Sequence, residues 1–332
     1  MTTFALNGLG RIGKLVLRNL LEKGFEILFI NDAEGTPELH AHLLEFDSVH
    51  GRWPASFSWD KSSITINHNN LKIYKSKSLR DLPLNNVDVV IDCTGAFRTE
   101  ESLNPYFSAG VKKVIVSAPV GDGHTANIVW GVNNNFYNPS KHNIITAASC
   151  TTNCLAPVVK VIHENLKIKH GSITTIHAAT NTQTIVDKPS NDPRRSRSAL
   201  NSLIPTTTGS ATAITMIYPE LSGKLNGHAV RVPLLNASLT DCVFEVERAT
   251  TVEEVNNFFK TAAQGDLHGV LGFEERTLVS SDYINDPRSS IIDAPSTMVV
   301  NGTQVKIYAW YDNEWGYAHR LADISGMVQA TF

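Results

Sequence analysis

Along the first 150 positions, short apolar runs alternate with segments whose apolar residues recur at helical spacing. "TFALN" (3–7) reads as a strand, and "RIGKLVLRNLLEK" follows with Ile12, Leu15, Val16 and Leu20 on one helical face and Gly24 placed to end the helix. "FEILFIND" (25–32) is a second strand, and "PELHAHLLEF" opens with Pro37, which suits a first helical turn. "VDVVIDCTG" (87–95) and "KKVIVSAP" (112–119) are continuous apolar runs, as parallel strands covered on both faces should be. Between them "TEESLNPYFSAG" reads as a helix closed by Gly110. This alternation predicts an α/β fold, a Rossmann-type doubly wound parallel sheet.

After Cys150 the pattern changes. "SITTIHAAT" (172–180), "HAVRVP" (228–233), "LTDCVFEVE" (239–247) and "TQVKIYAWY" (303–311) alternate more, which predicts an α+β domain with a mostly antiparallel sheet. "TVEEVNNFF" opens with a capping box from Thr251 to Glu254. Residues 181–210 are rich in Thr, Ser, Asn, Pro and Arg and lack periodicity, so they read as a long ordered loop of the kind that carries function. The last stretch, "EWGYAHRLADISGMVQA", is again helical.

Composition narrows the picture. The 332 residues are enough for about two domains. A net charge of -3 gives no general field for nucleic acid or an anionic membrane, so anion binding must be local. The N-terminal "MTTFALNGLGRIG" has no basic segment before an apolar run, and no apolar run approaches membrane-spanning length. Four cysteines make no disulfide framework and fit a reducing compartment, so a cytoplasmic location is expected.

Two places carry chemistry. Gly8-x-Gly10-x-x-Gly13 lies between a strand and a helix. There Gly8 permits the tight turn, Gly10 lets backbone approach a pyrophosphate, and Gly13 allows close helix–strand packing. Asp32 ends the next strand, where a carboxylate can accept a bond from an adenosine ribose hydroxyl and repel a 2′-phosphate. Lys77 and its basic neighbours in "KSKSLR" lie on a later loop and read equally as a solvated surface. The second place is Cys150 in "ITAASCTTNCLAP". No second cysteine pair or suitably spaced histidine makes it a zinc site, and Cys154, one turn on, reads as a small buried hydrophobe. Ser149 is a good N-cap that puts the thiol in a first helical turn, where N–H groups and the helix dipole favour the thiolate. His177, ending "SITTIH", is a candidate base, but with twelve histidines the spacing alone leaves the pairing open. Pro157 breaks the local helix rule.

Taken together and in order, "NGLGRIG", "SCTTNCLAP", "HAAT", "TTTGSATA", "LNGHAVRVP" and "WYDNEWGY" closely resemble phosphorylating glyceraldehyde-3-phosphate dehydrogenase over residues 3–330. The resemblance implies a Cys150 nucleophile partnered by His177. The thiolate attacks the aldehyde of D-glyceraldehyde 3-phosphate, hydride passes to NAD, and inorganic phosphate releases an acyl phosphate, 1,3-bisphosphoglycerate, from a thioester. It implies substrate and phosphate sites at Ser149, Thr151, Thr180, Arg195, Thr208, Gly209 and Arg231. On its own, "RRSR" (194–197) reads rather as an exposed basic loop. It further implies cofactor contacts at Gly8, Gly10, Arg11, Ile12, Gly13, Asp32, Ser117 and Asn313, with Tyr317 near the nicotinamide. Lys77 stands where the family often has arginine near the adenine. Also implied are a homotetramer, an NAD domain at 1–149 completed by the helix 315–332, and a catalytic domain at 150–314 whose S-loop spans about 181–210. No metal, nucleic acid or membrane is expected.

The chain also departs from the housekeeping pattern. Ala33 stands where NAD-specific relatives commonly carry leucine, which leaves NADP use open. "NTQTIVDKPSNDPRRSRSALNS", "ASLTDCVFEVER" and "DPRSSIIDAPSTMVVNGTQVK" resemble the branch encoded beside arsenic-resistance transporters, in which arsenate replaces phosphate to give 1-arseno-3-phosphoglycerate. The alternatives are erythrose-4-phosphate dehydrogenase and a binding role without turnover. The first lacks the Thr of "HAAT" and the "TTTG" turn, both present here. Against the second stand Cys150, His177, Arg231 and the glycine loop, all intact.

Overall fold

The computed structural model describes residues 2–121 and 124–332. It divides into two compact units, one formed by Met1–Trp130, Asn134–Ala148 and Tyr317–Phe332, the other by Gly131–Asn133 and Ser149–Gly316.

The strands of the first unit are β1 (Phe4–Asn7), β2 (Ile27–Asn31), β3 (Phe46–Asp47), β4 (Gly51–Arg52), β5 (Phe57–Trp59), β6 (Ser63–Ile66), β7 (Asn69–Tyr74), β8 (Val89–Asp92), β9 (Lys113–Val116), β10 (Ala126–Asn127) and β11 (Ile144–Thr146). Nine of them form one sheet in the order β10-β11-β9-β8-β1-β2-β7-β6-β5, and β3 and β4 form a separate ribbon. Pairing is parallel from β10 to β7, so β1 is the strand at which the order reverses. Ligands of doubly wound sheets sit at the carboxyl ends of the strands beside such a reversal. The doubly wound parallel sheet that the sequence predicted is present, and β5 and β6 add an antiparallel edge to it. The β6–β7 turn passes through Asn67, whose φ of 53° is tolerated by asparagine.

Three helices serve this sheet: α1 (Arg11–Glu22), α2 (Pro37–Glu45) and α3 (Glu100–Ser108). α1 buries Leu15, Val16 and Leu20, and its end is marked by Gly24 with φ 77°. Pro37 opens α2 behind the Thr36 cap, which accepts from the Leu39 N–H. One core layer gathers Ala5, Phe29, Val90, Val114 and Leu103 around the buried Tyr106.

The second unit contains β12 (Ile168–Ala178), β13 (Ile204–Thr207), β14 (Leu225–Val232), β15 (Ser238–Val246), β16 (Leu271–Glu274), β17 (Ser290–Asp293), β18 (Met298–Val300) and β19 (Gln304–Tyr311). The order is β13-β14-β12-β15-β19-β17-β16, with β18 also on β19. Pairs are antiparallel except β12 with β14 and β16 with β17. Two sequence expectations need correction here. The segment 181–210 holds regular structure, since β13 lies inside it and Thr184 bridges Ser198. The capping box is only half formed. Thr251 accepts from the Glu254 N–H, but the Glu254 carboxylate goes to Arg248 and the Thr250 hydroxyl.

The helices are α4 (Cys150–Leu166), α5 (Ser210–Ile217) and α6 (Val252–Gln264), followed by α7 (Trp315–Gln329), which belongs from Tyr317 onward to the first unit. α4 packs on β12, β15, β17 and β19, and it is buried nearly all round from Thr151 to Val159, consistent with its apolar composition. Pro157 lies inside it and removes one backbone donor from the helix. Among the described residues, no helix is long and apolar enough to cross a membrane.

Candidate active site

The start of α4 is set by Ser149, whose hydroxyl accepts from the Thr152 N–H at 3.1 Å. This cap makes Cys150 the first helical residue. Ala148, just before it, is held in the left-handed region at φ 51°, a conformation that costs a non-glycine residue about 1 kcal/mol. His177 is the last residue but one of β12, and parallel register places it opposite Arg231 on β14. Cys150 Sγ lies 3.6 Å from His177 Nε2, and Arg231 Nη1 lies 2.7 Å from His177 Nδ1 and 3.0 Å from the Ala178 carbonyl. The pairing that spacing left open is therefore made by the fold.

His177 Nδ1 faces both an acceptor and a donor, so each neutral tautomer of the ring makes one of the two contacts. Protonated at Nδ1, it donates to the Ala178 carbonyl at 2.7 Å and leaves Nε2 to accept the thiol proton. Protonated at Nε2, it accepts from Arg231 and donates to sulfur. Burial, the Arg231 charge and the Arg195 charge beyond it press the ring down to about 4, so it is neutral at ordinary pH.

Burial pushes the Cys150 thiol above its ordinary range, while the Arg231 charge, the Thr151 hydroxyl and N–H groups at the helix start pull it back. The N–H groups at the helix start favour the thiolate, as their position predicts, and burial opposes them more strongly.

Of the other predicted anion ligands, Thr151 touches this centre, and the rest are placed by their own elements. Thr151 Oγ1 pairs with Tyr311 Oη at 2.9 Å, and the Tyr311 ring stands edge-on to His177 at 6.1 Å. Arg195 is half-buried and donates to Thr182 Oγ1 at 3.2 Å, and Thr182 in turn pairs with Thr180 at 2.9 Å. Arg194 and Arg197 of the same run are exposed, so the basic run is divided between surface and site. Thr208 and Gly209 open α5, with Gly209 as its N-cap.

Sequence reasoning missed Tyr311 and Ser238. The Ser238 hydroxyl accepts from the Ala178 N–H at 3.1 Å and donates to Asn313 Oδ1 at 2.9 Å. Tyr311 stands in "WYDNEWGY", where the resemblance gives roles only to Asn313 and Tyr317, and Ser238 stands in no motif with an assigned role. They meet because Ser238 and Tyr311 are register partners on β15 and β19.

In the first unit the glycine turn follows β1. A Cβ on Gly8, whose φ is 95°, would meet the Thr94 nitrogen at 2.7 Å, and one on Gly13 would meet the Gly8 carbonyl oxygen at 1.8 Å. A Cβ on Gly10 would meet nothing within 4 Å, so the cradle is open on that side. No side chain caps α1 at Gly10, the kind of helix start that receives an anion on backbone N–H groups. The Arg11 side chain is taken by Asp47 through two bonds of 2.5 and 3.0 Å. Asp32 braces the turn by accepting from the Leu9 N–H at 2.7 Å and from the Glu34 N–H at 2.9 Å. Lys77 pairs with Glu34 at 3.1 Å, both side chains largely exposed. The Ser117 N–H donates to the Asp92 carbonyl, and the buried Tyr317 hydroxyl donates to the Ala148 carbonyl at 3.1 Å.

Both halves of the chain match known domain families: the glyceraldehyde 3-phosphate dehydrogenase NAD-binding domain over residues 2–100, and the C-terminal domain of the same enzyme over 149–313. The chain is 59% identical to glyceraldehyde-3-phosphate dehydrogenase 3 of Nostoc sp., covering 97% of each chain. The chain belongs to the glyceraldehyde-3-phosphate dehydrogenase family. It is also 46% identical to glyceraldehyde-3-phosphate dehydrogenase 2 of Streptomyces avermitilis and 46% identical to the Geobacillus stearothermophilus enzyme, again over 97% of each chain. Like its family, it is an NAD-dependent oxidoreductase. The open cradle at Gly10 and the uncapped start of α1 suit a dinucleotide pyrophosphate, and the acceptor oxygens of Asp32 suit the adenosine ribose of NAD.

Proposed function

We propose that Cys150 is the nucleophile of a phosphorylating glyceraldehyde-3-phosphate dehydrogenase and His177 its proton acceptor. The observation that carries this is the 3.6 Å approach of Cys150 Sγ to His177 Nε2 beside the Arg231 guanidinium. The thiol proton passes to Nε2 as the thiolate attacks the aldehyde carbon; the carbon–sulfur bond forms, the carbonyl π bond breaks, and Nε2 gives that proton to the carbonyl oxygen, leaving a thiohemiacetal and a neutral His177. When bound, NAD supplies the two-electron hydride acceptor. As the hydride leaves carbon, His177 takes the hydroxyl proton of the thiohemiacetal, and a thioester remains on Cys150. Phosphate oxygen then attacks the thioester carbonyl, the carbon–sulfur bond breaks, and Cys150 leaves as thiolate beside the Arg231 charge.

Arg195 and Arg231 supply forked donors, and Ser149, Thr151, Thr180, Thr208 and the Gly209 N–H supply hydroxyl or amide donors, which suit the substrate phosphate and the attacking oxyanion. The cofactor is held by Gly8, Gly10, Arg11, Ile12, Gly13, Asp32, Ser117 and Asn313, with Tyr317 toward the nicotinamide and Lys77 at the adenine end. In this reading residues 1–149 with the helix 315–332 are the cofactor domain and 150–314 the catalytic domain. Arsenate matches phosphate in shape and charge, so the same oxyanion site takes it. The protein works as a cytoplasmic homotetramer, a reading supported by its four free thiols and by Ile185, Val186, Leu200 and Leu203, each left 65–70% exposed on one chain. Replacing Cys150 by serine should leave NAD binding intact and remove dehydrogenase activity. Full activity in that variant would refute the assignment.

A further inference from the structure

The last rung of the parallel sheet in the first unit is polar and buried. Register aligns Asp92 of β8, Asn7 of β1 and Asn31 of β2, and the loop after β7 begins just beyond. The Ser76 N–H donates to Asn31 Oδ1 at 3.0 Å, which fixes the direction of everything that follows. Asn31 Nδ2 must then face Asn7 Oδ1, at 2.7 Å, and the Ser76 carbonyl, at 3.0 Å. Asn7 Nδ2 is thereby turned to Tyr106 Oη at 2.6 Å and to Asp92 Oδ2 at 3.3 Å, and Tyr106 donates on to the same Oδ2 at 2.7 Å. The other carboxylate oxygen accepts from the Thr94 N–H at 3.0 Å and its hydroxyl at 2.7 Å. Every partner of Asp92 is a donor, so the chain has to end in an acceptor-only group.

The geometry points to Asp92 as a positioning residue for the cofactor, acting through Asn7, Asn31 and Thr94 on the loops that hold NAD. Each strand of this rung leads into a separate part of the cradle. Asn7 precedes Gly8, whose N–H donates to the Asn31 carbonyl, and Asn31 precedes Asp32. Ser76 precedes Lys77, and Thr94 is the residue against which a Cβ at Gly8 would collide. A bonded rung fixes the spacing of these loops, so a dinucleotide meets a cradle already formed and less ordering opposes its binding. This inference rests on the cofactor contacts proposed above.

The test is Asp92→Asn, which keeps shape but must turn an NH2 toward donors. Directed at Thr94 it meets an N–H, and directed at Asn7 it meets an amide nitrogen. Titration calorimetry of the purified protein with NAD should show Kd raised about tenfold or more. Alkylation of Cys150 by iodoacetamide, which reports the other unit, should proceed at the wild-type rate. Adding Asn7→Asp to Asp92→Asn moves the carboxylate one strand along and lets every donor find an acceptor again, so the double variant should bind NAD within about threefold of wild type. An Asp92→Asn protein that folds and binds NAD within about twofold of wild type overturns the proposal, as does a folded double variant no better than the single one. Should Asp92→Asn alone fail to fold, the double variant decides. Asp32→Ala is the control. If it too leaves Kd unchanged, the cofactor contacts themselves are misassigned, whereas weakening there with none at Asp92 defeats only the rung.

Discussion

At Cys150 two opposing influences meet. Burial raises the thiol, and Arg231, the Thr151 hydroxyl and the N–H groups at the start of α4 lower it. In apoenzyme the rate of iodoacetamide alkylation should therefore still be climbing at the ordinary thiol value of 9.0. Arg231→Ala should move that profile to higher pH, because it removes the largest influence pulling the thiol down. A profile unmoved or shifted down would place the guanidinium elsewhere. His177 gives a stability signature of its own. Its ring falls from 6.5 to about 4 on folding, so between these values the unfolded chain binds more protons and stability must drop as pH falls. Urea unfolding of the apoenzyme should show a loss of up to about 3 kcal/mol from pH 6.5 to 4, with this group contributing no slope above 6.5. In His177→Asn that part of the slope should disappear. At this scale the glycines, Asp32, Ser149 and Cys150 could be read directly, because each acts through its own backbone position. Tyr311, Ser238 and Asp92 could not, because their roles come from strand register between residues far apart in the chain.

Among elements, the glycine turn into α1 separates shape from binding. Gly13→Ala forces a Cβ against the Gly8 carbonyl oxygen and should destabilise the protein by about 2 kcal/mol or more, read as a lower urea midpoint. Gly10→Ala meets open space, so the midpoint should stay within about 1 kcal/mol of wild type while NAD affinity falls. Equal losses of stability in both would contradict the assignment of Gly10 to the ligand side. α1 was legible from helical spacing and Gly24, α3 from its closing Gly110 and the start of α4 from the Ser149 cap, and the continuous apolar runs gave β8 and β9. The antiparallel β5–β6 edge and β13 were not. "SITI" is short, and β13 contains Pro205 in a Thr-rich stretch, which suits its place on the sheet edge but masks it as a strand. The Glu254 capping box failed for a similar reason, since Arg248, six residues away, outcompetes the local backbone donor.

For the whole molecule, the exposed side chains of Ile185, Val186, Leu200 and Leu203 sit in the segment assigned to the S-loop. Light scattering should give the mass of four chains, and Leu203→Asp should reduce it. A wild-type monomer would remove the tetramer from the account. The chemistry turns on the Cys150 thioester, which is caught by mixing enzyme with glyceraldehyde 3-phosphate and NAD while withholding phosphate and arsenate. The expected result is a burst of one NADH per chain and a 3-phosphoglyceroyl group on Cys150 by peptide mass spectrometry, with either oxyanion restoring turnover. NADH formed continuously without an oxyanion, or a burst that leaves Cys150 unmodified, would contradict it.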